Sequence, residues 1–231
     1  MARHNGAMVD WGRTRLKVCC IASAQEAQIA VRFGADAIGL VADMPSGPGP
    51  IPDDLIAEIA LGVPPSVATF LLTQETEVSR IVTHARRAGT STVQLVDWVT
   101  PADHRLIRAE LLGIKLVQVL HVTDEGVLDQ ARAAAETVDA LLVDSGRPNG
   151  AVRELGGTGR THDWNLSRQV VDSSPVPVFL AGGLTPDNVA EAVTRVRPFG
   201  IDVCSGVRSD DELNAGKLRA FVSAMNAAPR L

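Results

Sequence analysis

Two side chains stand at strand ends, where acid–base chemistry is common in parallel α/β folds: Cys19 and Asp144. Asp144 closes the apolar run Ala140-Leu141-Leu142-Val143. Such a run reads as a buried strand whose last side chain meets solvent or a ligand. Alternate strand residues share a face, so Asp144 lies with Leu142 and Cys19 lies with Lys17. A thiol with a lowered pKa can serve as a base. A carboxylic acid with a raised pKa can donate a proton near neutrality. Each residue also has a plainer reading. Cys19 fits a small buried hydrophobe, and Asp144 fits a solvated strand-end carboxylate or a helix cap.

A second set of residues suits an anion. Gly182 and Gly183 follow an apolar strand and precede a helix. Ser205, Gly206 and Val207 follow the last strand, just after Asp202 and Cys204. Glycines let backbone N–H groups approach a phosphate closely, and helix N-termini favour negative charge. A lone Gly-Gly is more often a tight turn, but two glycine turns on neighbouring strands form a more specific signal. Gln94 ends another strand pointing at the same mouth. The run Gly156-Gly157-Thr158-Gly159 lacks the Gly-Lys-Ser/Thr ending of a P-loop. It reads as a flexible lid, with a plain surface loop as the alternative.

These residues must be positioned by repeating elements, and the chain supplies them. Strands are predicted over residues 16–21, 36–42, 66–72, 92–95, 114–120, 139–144, 176–180 and 199–204. Helices are predicted between them and after the last, including 123–137, a helix capped by Thr185 with Pro186 at its first position, and a closing helix over 210–227. Eight βα units in a chain of 231 residues point to a single (β/α)8 TIM barrel, an α/β fold. An open doubly wound sheet is the alternative, but no GxGxxG follows the first strand. Residues 1–14 read as a mobile tail, and 15–231 as one domain. In such a barrel the site sits at the C-terminal ends of the strands.

Composition narrows the partners. Hydrophobic residues make up 45%, as in a globular protein, and the net charge is −5. That charge argues against a nucleic-acid surface or a basic membrane patch. Aromatics at 3% are too few for base-stacking platforms. No apolar run reaches spanning length, and no signal peptide is apparent, so a cytoplasmic protein is expected. Three cysteines do not make a disulfide framework, and no metal-ligand spacing appears. No metal and no cofactor are expected.

The motifs together resemble those of the phosphoribosylanthranilate isomerase family. The resemblance rests on Lys17-Val18-Cys19, Gly34 to Gly39, Val93-Gln94-Leu95, Leu142-Val143-Asp144, the glycine run through Asp163-Trp164, Gly182 to Val189, and Asp202 to Val207. These run in family order from residue 16 to about 225. The resemblance implies Cys19 as general base and Asp144 as general acid. It puts the phosphate on Gly182, Gly183, Ser205, Gly206 and Val207. It also implies an isomerase of tryptophan biosynthesis, acting on a small phosphosugar as a monomer or homodimer. The alternatives are a paralogue isomerising another aminated sugar phosphate and a non-catalytic phosphosugar-binding barrel.

The departures are local. The family's Cys-Gly-Ile-Thr is Cys19-Cys20-Ile21-Ala22 here, and Gln-Leu-His-Gly is Gln94-Leu95-Val96-Asp97. Gly49 stands where the resemblance implies an arginine holding the anthranilate carboxylate. The resemblance therefore implies weak or absent activity on phosphoribosylanthranilate beside an ordinary family member, and a gain from Gly49→Arg if the lost arginine is the reason. Arg208, Arg147, Arg153 and Arg160 are the candidates to replace its charge.

Overall fold

The computed structural model describes residues 12–44, 49–146 and 162–228. Eight parallel strands close into a barrel, each followed by a helix. The units are β1 Arg15–Val18 and α1 Ala24–Arg32, β2 Ala37–Val41 and α2 Asp53–Gly62, β3 Ala68–Thr73 and α3 Val78–Ala88, and β4 Thr92–Leu95 and α4 Pro101–Glu110. They continue as β5 Lys115–His121 and α5 Val127–Ala135, β6 Ala140–Asp144 and α6 Trp164–Ser173, and β7 Val178–Leu180 and α7 Val189–Val196. The last strand is β8 Gly200–Val203. A 3-10 turn Ser205–Val207, a hairpin of β9 Arg208–Ser209 and β10 Glu212–Leu213, and α8 Ala215–Ala227 follow it. The expected barrel is therefore the observed one, and the open sheet is not.

Strand parity divides the buried residues into two layers. One set of alternate residues packs outward against the helices, among them Leu16, Val18, Ile38, Leu40, Leu71, Leu141 and Val143. The other set fills the barrel, among them Ala37, Phe70, Leu72, Val117, Leu142 and Phe179. Apolar residues on both faces are what a parallel sheet under helices requires. Small residues make room inside. A Cβ on Gly200 would lie 2.6 Å from the Phe179 ring.

Helix ends follow ordinary capping physics. Ser23 accepts from the Glu26 N–H at 3.1 Å to start α1. Gly89 ends α3 in the left-handed region at φ 63°.

Several expected boundaries shift for visible reasons. The first strand stops at Val18, short of residue 21, because Cys20 turns to φ +62°. The helix expected over 123–137 spans only Val127–Ala135. Asp124 accepts from Gly126 N–H at 2.8 Å before it, and the Thr137 hydroxyl donates to Ala134 O at 3.1 Å after it. α7 begins at Val189, not at Pro186, because the Asn188 side chain braces the preceding turn instead. Asn188 accepts from Thr185 N–H at 2.8 Å and donates to Gly183 O at 2.9 Å. The closing helix starts at Ala215 rather than 210. Asp210 and Asp211, at φ 50° and 61°, turn a two-residue hairpin there.

Candidate active site

The barrel mouth is built around a lysine. Lys17 on β1 points inward and is fully buried. Barrel closure pairs β1 with β8 and sets Lys17 opposite Asp202. Lys17 Nζ donates to Asp202 Oδ1 at 2.9 Å and lies 5.2 Å from the centre of the Phe70 ring. Burial alone would lower the lysine pKa, but the Asp202 carboxylate and the adjoining Cys19 outweigh it and hold the ammonium above its usual value.

Cys19 follows β1 and is buried against this pair. A Cβ on Gly39 would lie 2.7 Å from Cys19 Sγ and 3.0 Å from Lys17 Nζ. Gly39 thus leaves the space that thiol and ammonium occupy. Burial pushes the Cys19 thiol up to about 11, with Lys17 pulling it down and Asp202 pushing it up. The thiol is the resting form at neutral pH, and Lys17 is the group that stabilises a thiolate when one forms.

Asp144 ends β6 and faces the same interior as Leu142. It too is buried, and burial raises its pKa above the usual carboxylate range. Ser145 N–H donates to Asp144 Oδ1 at 2.7 Å and opposes that shift, as does the charge of His121. Asp202 raises it further, so Asp202 acts on both Cys19 and Asp144. Gln94, on β4, is buried in the same interior, and its Oε1 has no hydrogen-bond partner among the described residues.

The two glycine turns lie against each other. Gly182 and Gly183 both have positive φ, at 88° and 61°. A Cβ on Gly182 would lie 3.0 Å from His162 Nδ1 and 3.1 Å from Asp144 Oδ1, so this turn abuts the candidate acid. A Cβ on Gly206 would lie 1.9 Å from Leu184 O, so the Ser205–Val207 turn needs a glycine to pack on the other. Val207 is committed to holding its turn. Its side chain is fully buried, and its N–H donates to Cys204 O at 3.2 Å.

The structure corrects two expectations outright. The cysteines are not all free: Cys20 and Cys204 form a disulfide, which no pattern local in sequence could show across 184 residues. Arg208 is not available to a ligand carboxylate. It is buried, with Nη2 donating to Glu26 Oε1 at 2.8 Å and Nη1 to Cys20 O at 2.8 Å. Arg147, Arg153, Arg160 and the run Gly156-Gly157-Thr158-Gly159 lie outside the described residues.

Two histidines escaped the sequence reading. His121 pairs in register with Asp144, and its Nε2–H donates to Val96 O at 3.1 Å. His162 precedes α6, with Nε2 2.6 Å from Ser167 Oγ, and burial lowers its pKa to about 4. Neither Nδ1 has a partner among the described residues. The parity of β5 could have found His121, since it stands two residues after the inward-facing Val119. On the outer rim His84 also meets Thr73 at 3.0 Å and Asp53 at 3.1 Å. Both its ring nitrogens are engaged, which makes it a tie between β3, α2 and α3.

Known proteins resemble this chain over most of its length. Residues 16–224 match the family model described as N-(5'phosphoribosyl)anthranilate (PRA) isomerase. An N-(5'-phosphoribosyl)anthranilate isomerase of Haloferax volcanii is 40% identical over 217 residues, covering 93% of this chain and 94% of the relative. One of Methanocella arvoryzae is 36% identical over 197 residues, covering 85% and 90%. The phosphoribosyl anthranilate isomerase of Thermotoga maritima superposes with a TM-score of 0.79 at 28% identity, covering 92% of this chain and 98% of that one. A further solved isomerase, in complex with reduced 1-(o-carboxyphenylamino)-1-deoxyribulose 5-phosphate, superposes at 0.76 with 26% identity, covering 92% and 98%.

Proposed function

The chain belongs to the phosphoribosylanthranilate isomerase family, and on that premise we propose that Cys19 and Asp144 are the base and acid of its Amadori rearrangement. The substrate is N-(5-phosphoribosyl)anthranilate, and the product is the corresponding 1-amino-1-deoxyribulose 5-phosphate of tryptophan biosynthesis. Asp144 gives its proton to the ring oxygen. The C1–O bond breaks, and the nitrogen lone pair forms a Schiff base. Cys19 thiolate takes the proton from C2, and the electron pair moves into the C1–N system to give an enolamine. Tautomerisation returns a proton to C1 and leaves the ketone at C2. The substrate nitrogen is the electron sink, so one acid and one base suffice.

The observation that carries this reading is the charge arrangement around Asp202. Lys17 Nζ bonds Asp202 Oδ1 at 2.9 Å beside the buried Cys19 thiol, where its ammonium favours a thiolate that burial and Asp202 oppose, and burial, with Asp202 adding to it, raises the pKa of Asp144. The two residues share a single proton between them in the working form, thiolate with carboxylic acid. Gly182, Gly183, Ser205 and Gly206, with Val207 holding its turn, make the phosphate end. Gln94 and Asp202 face the sugar. The protein acts in the cytoplasm on this small phosphosugar, as a monomer or homodimer; no described helix is long and apolar enough to cross a membrane.

Loss of phosphoribosylanthranilate fluorescence measures the reaction directly. Cys19→Ser and Asp144→Asn should each lower kcat by about 10² to 10⁴-fold. The profile of kcat/KM against pH should be a bell. Its acid limb lies above the ordinary carboxylate range, from Asp144, and its alkaline limb lies near about 11, from Cys19. Losses under about tenfold in both variants would remove these roles.

A further inference from the structure

A second thiol chemistry lies beside the candidate base. Cys20 and Cys204 are joined with their Cα atoms 5.9 Å apart. They sit just past the seam where the first and last strands close the barrel. β1 and β8 run in register to Val18↔Val203, and Cys19 N–H donates to Val203 O at 2.8 Å. Cys20 directly follows Cys19, and Cys204 directly precedes the Ser205–Val207 turn. One covalent link therefore ties the turn bearing the base to a turn of the phosphate end. The setting holds Cys20 in place by other means as well. Arg208 binds its carbonyl, and Gly49 packs so closely that a Cβ there would lie 2.6 Å from Cys20 Cβ. Cys20 is 4% exposed, whereas Cys204 is partly exposed, so an outside reagent meets Cys204 first.

We propose that Cys20 and Cys204 form a reversible redox clasp, closed by low-molecular-weight disulfides of the glutathione type, whose closure tightens binding at the phosphate turns. The proposal uses the reading above only for the place of the phosphate. Closure runs by thiol–disulfide exchange. The Cys204 thiolate attacks one sulfur of R–S–S–R, a Cys204–S–R bond forms, and R–S⁻ leaves and takes up a proton. The Cys20 thiolate then attacks Cys204 Sγ and expels the second R–S⁻. The two cysteines lose two protons and two electrons, and the small disulfide is reduced to two thiols. Excess small thiol reverses both steps. Closure preorganises the turn before it meets its anion, and preorganisation is expressed as affinity.

The experiment uses the full chain poised in buffers from reduced to oxidised glutathione. Thiols are counted by alkylation and intact mass, and inorganic phosphate affinity is measured by calorimetry in the same buffers. The reduced protein should alkylate at all three cysteines and the oxidised protein at Cys19 alone. Phosphate should bind about threefold to tenfold tighter in the oxidised protein. Cys204→Ser should bind phosphate as the reduced protein does, at every poise. Cys20→Gly, which suits the positive φ at that position, should behave the same way and covers a Cys204→Ser that does not fold. Full alkylation under every poise, unchanged phosphate affinity on closure, or a Cys204→Ser protein that still responds to poise would each overturn the clasp. A Cys19→Ser protein with undiminished turnover would instead overturn the catalytic reading and leave the thiol count and phosphate affinities standing.

Discussion

Two buried ion pairs meet at Cys19-Cys20, and they are built to opposite ends. Arg208 and Glu26 saturate each other. Arg208 donates to Glu26, to Cys20 O and to Asp211 O, and Glu26 also accepts from the backbone of Ala22 and Leu213. That pair ties the hairpin after β8 to the start of α1 and presents nothing to a ligand. Lys17 and Asp202 are as deeply buried but not saturated. Lys17 reaches a carboxylate, a thiol and a ring face, and Asp202 influences two titrating groups at the mouth. A buried pair is thus a lock when whatever its partners leave over is spent on backbone. It is a reactive environment when a titratable side chain completes it.

Breaking each pair separates these two roles. Lys17→Met leaves Asp202 buried and unpaired, which costs about 3–5 kcal/mol of stability. It also removes a charged hydrogen bond from the thiolate, worth about 1.5–3 kcal/mol, or roughly tenfold to a hundredfold in rate. Arg208→Met should cost stability on the same scale of about 3–5 kcal/mol. Its kcat, per folded molecule, should stay within about threefold of the parent, less than one charged hydrogen bond is worth. Urea unfolding and steady-state kinetics on both variants make the test. Equal kinetic losses would show that the two pairs do not differ in kind.

Gly49 sharpens the same contrast, because it packs on the residue where the two pairs meet. Sequence comparison alone expects Gly49→Arg to restore a carboxylate partner and raise activity. The structure reverses that expectation. Gly49 sits at φ +92°, and any Cβ there would press on Cys20. Strain of this kind costs about 1–3 kcal/mol. Gly49→Arg should therefore lower both stability and kcat/KM. A gain in kcat/KM at Gly49→Arg would show that the loop can rebuild around the side chain.

How much of this was readable beforehand follows from the range of each signal. The barrel was legible because hydrophobic alternation and helix punctuation are local. Thr92–Leu95 was recovered residue for residue. Cys19, Asp144, Gln94 and Asp202 reached one interior because strand parity is also local. The Lys17–Asp202 pair was within reach, since closing a barrel makes its first and last strands neighbours and both residues have inward parity. The disulfide and the Arg208–Glu26 pair were not. Each joins residues more than 180 apart through loops whose path depends on left-handed residues such as Cys20, Asp210 and Asp211. Nothing in a cysteine or an arginine announces such a partner.

The smallest expected effect concerns a third kind of buried polar group, one held neutral with no opposite charge at bonding distance among the described residues. His162 has Nε2 against Ser167 Oγ and Nδ1 beside the Gly182 turn, where no partner among the described residues meets it. Burial takes its pKa from 6.5 to about 4, with Asp163 opposing the shift. Between those values the unfolded chain binds a proton that the folded chain refuses. Stability therefore rises with pH through this window and is lost as pH falls from 6.5 towards about 4. A full shift of this size corresponds to roughly 3 kcal/mol. The ring is only partly shielded from solvent, which brings the expected loss to about 1–2 kcal/mol. His162→Phe keeps an aromatic ring there and cannot be protonated. It leaves Ser167 without its partner, which lowers stability by a similar amount at every pH. Urea unfolding near neutrality and again at about pH 4.5 should therefore give the parent a steeper fall than the variant. Carboxylates such as Asp139 titrate in both proteins and cancel in the difference. Equal falls would mean that folded His162 accepts its proton as readily as the unfolded chain does, and that the space beside Gly182 and Asp144 is wetter than its burial implies.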